Sequence, residues 1–432
     1  MKLRPIINSP LEQDLYKENM AVIILKKYSD RMTRWSWKCR NPEVRFTEEM
    51  IDEIREQVDW YCVNVRYGED DIEWLRKTCP WLSPGYLAFL RHWRPNRKQI
   101  FINEGGVKPY NDCGLAIEAY GTWLDTSKYE IPILAIVSEV YYAFKYGVGA
   151  KDAEFKRRAD EKFGKLRSAE ERAAQCAAGG WTKDIVDKYE NAHPYDIGTF
   201  AEFGMRRRLS AETQDWLVGR CVGKKVPGFV GTSNMYLARK YGVKPIGTMA
   251  HELLQVIGQS DPSLNPAFTN RFVMKDWTEE YKTLNGIMLD DVIGSEVFLK
   301  DFDLTYANLF SGVRHDSGDP IKWGETLIAH YKKLGIDPKT KTLLFSDSLN
   351  FEKATAIKKH FDGQCKISFG IGTYLSCDTD VEPLNIVMKV TECDGRPVAK
   401  LSNNAGKTMC KDAEYVEYLK RCIDWRLRYE KD

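Results

Sequence analysis

The sequence predicts an α/β fold built around a β/α barrel. The first observation is a recurring layout: a short apolar run, a loop of glycines and polar side chains, then a helical pattern. Phe229-Val230 runs into Gly231-Thr232-Ser233-Asn234, and Lys244-Pro245-Ile246 into Gly247-Thr248-Met249-Ala250-His251-Glu252. Leu309-Phe310 runs into Ser311-Gly312-Val313-Arg314-His315-Asp316-Ser317-Gly318-Asp319, Leu343-Leu344-Phe345 into Ser346-Asp347-Ser348, and Ile367-Ser368-Phe369 into Gly370-Ile371-Gly372-Thr373. The second is that the chemistry-bearing side chains gather just after these runs, where a barrel builds its active site. The third is length: 432 residues suit two domains, and 43% hydrophobic content with 12 Trp can fill their cores.

Along the chain, Glu48 to Cys62 sets Ile51, Ile54, Val58 and Tyr61 at helical spacing behind a Thr47 cap. Asp71 to Leu90 reads as short helices broken at Pro80 and Pro84, Gln99 to Ile102 as a strand, and Glu104-Gly105-Gly106 as a turn. Residues 151 to 175, dense in Lys, Arg, Glu and Ala, read as a solvated helix whose charges have no function of their own. The strand–loop–helix units begin near residue 196. Helices follow over Asn234 to Tyr241, Pro320 to Leu334 and Phe351 to Phe361, the second striped by Trp323, Leu327, Tyr331 and Leu334. Beyond Pro383 the pattern changes. Leu384 to Val390 and Pro397 to Leu401 read as strands joined by a turn at Asp394-Gly395, and Met409 to Arg428 as a terminal helix.

Composition excludes some classes. Net charge is +2, from 64 basic and 62 acidic residues, which argues against a nucleic-acid or membrane-surface binder. The 11 Cys are scattered without a Cys-x-x-Cys, so reduced cytoplasmic thiols are expected rather than a disulfide framework or zinc site. The longest N-terminal apolar run, Met20 to Leu25, is too short to span a membrane.

Among the candidate residues, Gly370, Gly372 and Thr373 suit a phosphate cradle of backbone N–H groups and one hydroxyl, although Gly-x-Gly also makes ordinary turns. Asp316 and Asp319 suit sugar hydroxyls or a Mg²⁺ carried by a pyrophosphate, and Arg314 a carboxylate or phosphate; the competing reading is a loop salt bridge. Arg206-Arg207-Arg208 is either an anion clamp or a solvated helix start. His251 suits a general base, a metal ligand or a phosphoryl-accepting nucleophile, with Glu252 beside it to orient the ring. No second His stands at a metal-ligand spacing, which argues against zinc. Tyr16, on sequence alone, is a core or interface aromatic.

Taken together these strings resemble the nicotinate phosphoribosyltransferase family. The resemblance rests on Asp14-Leu15-Tyr16-Lys17, Glu202 to Arg208, Gly231 to Asn234, Gly247 to Glu252, Arg314 to Pro320, Phe345 to Leu349 and Ser368 to Thr373. Pro383 to Val387 and Lys400-Leu401-Ser402 extend it. It implies an irregular β/α barrel with an N-terminal α/β domain completed by the C-terminal tail, divided near 1–140, 141–380 and 381–432. It implies that nicotinate and 5-phosphoribosyl 1-pyrophosphate (PRPP) give nicotinate mononucleotide and pyrophosphate in NAD salvage. Mg²⁺ would accompany PRPP and ATP, and ATP hydrolysis would be coupled through a phosphohistidine at His251, with Glu252, Asp316 and Arg314 as catalytic partners. A homodimer is implied, with the active site at the subunit interface.

Carried over by residue, Arg206 and Arg314 flank nicotinate, Tyr16 of the partner chain stacks on the pyridine ring, and Phe203 and Ser346 belong to the substrate-binding set. Asp316, Asp319 and Asp347 serve the ribose or Mg²⁺-pyrophosphate, while Gly370, Gly372 and Thr373 cradle the 5′-phosphate. Thr232, Ser233 and Asn234 complete the substrate-binding set. Relatives that use nicotinamide carry Asp at the position matching Ser233, so Ser233 favours the acid. Tyr374 departs from the Arg of many bacterial members, and the charged stretch near 151–192 looks like an insertion. The alternatives are a nicotinamide phosphoribosyltransferase, a barrel enzyme acting on a sugar phosphate, and an inactive scaffold. The five loops hold no Lys for a Schiff base, and the expected catalytic positions are filled.

Overall fold

The structure, a computed structural model, describes residues 1–109, 112–168, 182–401 and 409–430. Two sheets organise it. The larger has seven strands, β4 (Thr199–Glu202), β5 (Phe229–Thr232), β6 (Lys244–Pro245), β7 (Ile287–Leu289), β8 (Gly312–His315), β9 (Thr342–Phe345) and β10 (Lys366–Ile371). Their order is β6-β5-β4-β10-β9-β8-β7, and every pair is parallel. Parallel pairing demands crossovers, and helices such as Met235–Tyr241, Pro320–Lys333 and Phe351–Phe361 supply them. The edge strands β6 and β7 share no ladder. Thr248 Oγ1, just past β6, donates instead to the Ile287 carbonyl at 3.1 Å, linking the two edges of the curled sheet.

The smaller sheet is antiparallel, in the order β12-β11-β1-β3-β2. It joins β1 (Met32–Cys39), β2 (Ile100–Ile102) and β3 (Ile117–Thr122) to β11 (Ile386–Cys393) and β12 (Arg396–Pro397), so the tail of the chain returns to its start. The β11–β12 turn is the one expected: Asp394 and Gly395 have φ of 50° and 74°, the twist-matched geometry of a tight hairpin.

Several sequence expectations need correction. Leu309-Phe310 is not a strand. Asp303 caps the short helix Leu304–Leu309 by accepting from the Thr305 and Tyr306 N–H groups, and Phe310 ends it. The strand is Gly312–His315, so Arg314 and His315 lie on β8 rather than in a loop. Gly370 likewise lies in β10, and the loop begins at Gly372. Pro84 does not break a helix. It opens Pro84–His92 behind a Ser83 cap, where a missing N–H costs nothing.

Pro397 to Leu401 leaves the sheet almost at once. Gln259 takes the Ala399 N–H and donates to the Ala399 carbonyl, at 2.7 and 2.8 Å, and this diversion carries Lys400 to the barrel mouth. The terminal helix is Ala413–Tyr429 and docks on the barrel side, where the fully buried Arg426 pairs with Asp301 at 2.6 and 2.8 Å. The charged helix runs over Asp152–Phe163 and buries Phe155 and Phe163; residues 169–175 of that expectation lie outside the described residues. No helix among the described residues is long and apolar enough to cross a membrane. The ten cysteines among them are free thiols.

Candidate active site

A cavity of about 580 Å³ lies at the C-terminal ends of the parallel strands, covered by the smaller sheet. Its size suits a small molecule. Six of the seven strands deliver residues from the end where barrels place chemistry. Phe203 follows β4, Ser233 follows β5, Gly247 and Thr248 follow β6, Asp316 follows β8, Ser346 and Asp347 follow β9, and Gly372 and Thr373 follow β10. The covering sheet adds Arg40, Val387 and Lys389, and the diverted segment adds Lys400.

His251 is the first residue of the helix His251–Gln259 and is 5% exposed. Its Nε2 lies 2.9 Å from Asp291 Oδ1, 3.3 Å from Asp316 Oδ2 and 2.9 Å from Lys400 Nζ. A neutral ring nitrogen cannot donate to a carboxylate and accept from an ammonium at once. Lys400 already has Asp291 Oδ2 at 2.7 Å, so we assign the Nε2 proton to the Asp291 bond, which leaves the free lone pair on Nδ1. Burial, with the Lys400 charge beside it, lowers the His251 pKa to about 4 against the opposing pull of Asp291 and Asp316. The ring is therefore neutral near pH 7. Burial alone would raise the Asp291 carboxyl, but His251, when protonated, and Lys400 together hold it well below the usual range.

Asp291 and Lys400 were not assigned roles from sequence. Asp291 obeys the layout used for the other loops: it follows the apolar run Ile287-Met288-Leu289. That signal was available. Lys400 had none beyond the Lys400-Leu401-Ser402 match, because its place depends on how the chain leaves β12.

Arg314 and Asp316 lie two apart on and beyond β8, which puts them on the same face. Arg314 Nη2 is 3.7 Å from Asp316 Oδ1, and Arg314 Nη1 donates to the Met249 carbonyl at 3.4 Å. Ser346 Oγ donates to Asp316 Oδ1 at 3.1 Å. Burial would raise the Asp316 carboxyl, yet Arg314, His251 and Lys400 bring it below the ordinary value, so it is a carboxylate. His315 faces the other way and packs edge-on against Trp323 at 5.2 Å.

Tyr16 lines the cavity of its own chain and is 7% exposed. Gly247 makes room for it: a Cβ there would lie 2.9 Å from the Tyr16 backbone nitrogen. Gly370 does the same for Phe203, whose ring would meet an added Cβ at 2.3 Å. Its glycine thus serves ring packing, while Gly372 and Thr373 remain in position for an anion.

Other expected site residues are structural. Glu252 does not orient His251. It is buried between Lys17 and Ser127, both of which donate to it. Thr232 is fully buried and donates to Glu202 at 2.6 Å. Asn234 caps Met235–Tyr241 by accepting from Tyr236 and Leu237 N–H groups. Asp319 is exposed and caps Pro320–Lys333, accepting from Ile321 and Lys322 N–H groups at 2.8 and 2.9 Å. Arg208 is neither clamp nor solvated; it is buried against Glu12 at 3.0 Å and Glu139 at 3.3 Å. Arg206 and Arg207 do line the cavity. Tyr374 lines it too, with Lys162 Nζ 4.2 Å above its ring. Ser233 Oγ donates to Asp14 Oδ1 at 2.6 Å, so a carboxylate already stands beside it.

The chain matches the Nicotinate phosphoribosyltransferase (NAPRTase) family over residues 199–425, and that family's N-terminal domain over residues 11–138. It belongs to the nicotinate phosphoribosyltransferase family. It is 38% identical over 424 residues to the nicotinate phosphoribosyltransferase of Salmonella heidelberg (strain SL476), covering 97% of this chain and 96% of that one. The crystal structure of the Vibrio cholerae nicotinate phosphoribosyltransferase matches with a TM-score of 0.84 at 33% identity, covering 97% of this chain and 94% of that one. That from Porphyromonas gingivalis matches with a TM-score of 0.83 at 31% identity, covering 97% and 100%. The irregular β/α barrel expected from sequence is thus the fold of this family.

Proposed function

We propose that this cavity joins nicotinate to PRPP, giving nicotinate mononucleotide and pyrophosphate in cytoplasmic NAD salvage, and that ATP hydrolysis is coupled to the transfer through phosphorylation of His251. The observation that carries the reading is the meeting, in one cavity, of the His251 imidazole with Asp316, the Gly372-Thr373 loop and a set of cations.

The pyridine nitrogen lone pair attacks C1 of the ribose. The C1–O bond breaks, and pyrophosphate leaves with its electron pair. Positive charge builds on the ribose ring in between, and the Asp316 and Asp347 carboxylates stabilise it. Arg206, Arg314 and Lys389 offer the cationic side of the cavity to the nicotinate carboxylate and the leaving pyrophosphate. Tyr16 and Phe203 give the pyridine ring its apolar walls. Gly372 and Thr373 hold the 5′-phosphate, fixing the end of the sugar that does not react so that C1 meets the ring nitrogen. Arg40 and Arg207 line the same cavity and supply the charge that Tyr374 does not.

Mg²⁺ fits this donor set. Asp316 and Asp347 line the cavity together, and Mg²⁺ usually takes one or two carboxylates with substrate phosphates completing its shell. Asp316 and Asp347 are the carboxylates we assign to it, because Lys400 already neutralises Asp291. Bound there, it would offset pyrophosphate charge.

In the coupled step, Nδ1 of His251 attacks the γ-phosphorus of ATP and ADP leaves. The phosphoryl group adds about two negative charges beside the substrates until water removes it. The homodimer implied by the resemblance, with the active site at the subunit interface, remains part of the proposal. The test is to incubate the pure protein with nicotinate and labelled PRPP, with and without ATP. Nicotinate mononucleotide should form, faster or further with ATP. Product from nicotinamide at equal rate would favour the amide enzyme, and no nucleotide from either base would overturn the reading.

A further inference from the structure

We infer that Glu130, a residue behind the cavity wall, is the positioning carboxylate that keeps the pocket cation Lys389 charged, and holds both Lys389 and Arg206 aimed, without using up their hydrogen-bond donors. The inference rests on the proposed nicotinate chemistry only for what those cations receive.

Glu130 opens the helix Glu130–Tyr146 and is 2% exposed. One oxygen, Oε2, holds Lys17 Nζ at 2.7 Å. The other, Oε1, is buried without a hydrogen-bond partner and stands 3.6 Å from both Arg206 Nη1 and Lys389 Nζ. At 3.6 Å a charge is felt but no hydrogen bond is made. The donors of both cations stay available to an anion entering from the cavity, which both residues line. A carboxylate bonded to them directly would compete with the substrate; one set slightly back stabilises their charge and leaves the direct contacts to the ligand.

The side-chain exposures fit this front-and-back arrangement: 3% for Glu130, 20% for Lys389 and 38% for Arg206. Lys17 ties the device to the rest of the site. It also binds Glu252, the residue after His251, and follows Tyr16 in sequence.

Lys389 is the member that reports on Glu130. The charged groups facing it are Glu130 from the Glu130–Tyr146 helix, Arg206 after β4, Lys400 from the segment beyond β12 and Lys17 from the helix Leu15–Lys27. On the neighbouring strand β1, Ser36 stands opposite it, and Gln255 of the His251 helix lines the cavity nearby. Glu252 of that helix is engaged by Lys17. Glu130 thus acts on Lys389 against three cations, Arg206, Lys400 and Lys17. Burial and those cations bring the Lys389 pKa down to about 8, and Glu130 works against them. Burial would raise Glu130 itself, but Lys17, Lys389 and Arg206 hold it at about 2, so it stays ionised.

The test titrates Lys389 in the ligand-free protein by NMR of ¹⁵Nζ-labelled lysine, assigned with Lys389→Met, and in parallel follows the KM for nicotinate against pH. In the wild type the Lys389 signal should titrate near pH 8 and KM should rise above it. Glu130→Gln should move both transitions down by about one pH unit or more, the effect of an opposite charge at this range. KM at neutral pH should rise with kcat changed much less. Glu130→Asp, which keeps a negative charge there but draws it back by one methylene, should move them by less and covers the case in which Glu130→Gln does not fold. Unmoved transitions in every folded Glu130 variant would overturn the inference, as would a wild-type Lys389 titrating at its ordinary value near 10.5. A wild type without nucleotide-forming activity would sink the nicotinate reading alone, because the NMR titration needs no substrate.

Discussion

Replacing Asp291 by Asn tests the reading of the histidine most sharply. The Asp291 carboxylate is 3% exposed and has three partners, His251 Nε2 at 2.9 Å, Lys400 Nζ at 2.7 Å and Ser317 Oγ at 2.8 Å. Asn can still accept from Nε2–H, so the ring stays roughly in place. What is lost is charge. When Nδ1 takes a phosphoryl group while Nε2 keeps its proton, the ring becomes cationic, and Asp291 is the carboxylate that neutralises it. A hydrogen bond to a charged partner contributes about 1.5–3 kcal/mol. At about 1.4 kcal/mol per factor of ten, histidine phosphorylation should slow by about ten- to a hundredfold. Rapid-quench labelling with γ-labelled ATP reads that step alone. Glycosyl transfer without ATP should fall less, since Asp291 touches the phosphorylated ring rather than the ribose. Labelling of His251 at the wild-type rate in Asp291→Asn would refute the assignment of Nε2 as donor and Nδ1 as nucleophile.

Three other outcomes follow from the same geometry. Ser233→Asp would set a second carboxylate against Asp14, now 2.6 Å from Ser233 Oγ, and should lower use of nicotinate relative to nicotinamide; an unchanged ratio of kcat/KM for the two bases would contradict it. Gly370→Ala drives a methyl group to within 2.3 Å of the Phe203 ring, an overpacking that costs about 1–3 kcal/mol and should raise the KM for the base as the ring is displaced. His251, neutral in the fold down to about pH 4, is protonated near pH 6.5 in the unfolded chain. The stability it contributes is therefore complete above pH 6.5 and is lost as pH falls toward 4, at up to about 1.4 kcal/mol per pH unit. Denaturant unfolding of wild type and His251→Asn across that window should show the wild type losing more.

What the sequence made legible was local and ordered. An apolar run followed by glycine and polar residues located the mouths of β5, β6, β9 and β10, because a buried parallel strand must be apolar and its functional loop cannot be. The same rule misplaced β8, since Leu309-Phe310 ends a capped helix whose apolar face mimics a strand. Within the site, the rule found His251 and Asp316 but overreached to Thr232, Asn234 and Asp319, where Thr, Asn and Asp serve as buried partner or helix caps. Caps and ligands draw on the same residue types for the same reason, a short side chain with an oxygen to share. Lys389, Lys400 and Glu130 were invisible for a different reason. Their roles arise from the return of β11 to the first sheet and the departure of the chain after β12, long-range events with no local signature.

The most direct measurement of the central claim is to incubate the pure protein with labelled ATP alone, quench, and locate the label by peptide mass spectrometry. An acid-labile, base-stable phosphoryl group on His251, absent from His251→Asn, is the predicted result. A protein that forms nicotinate mononucleotide yet carries no label, or carries it on a residue outside the cavity, would contradict the account.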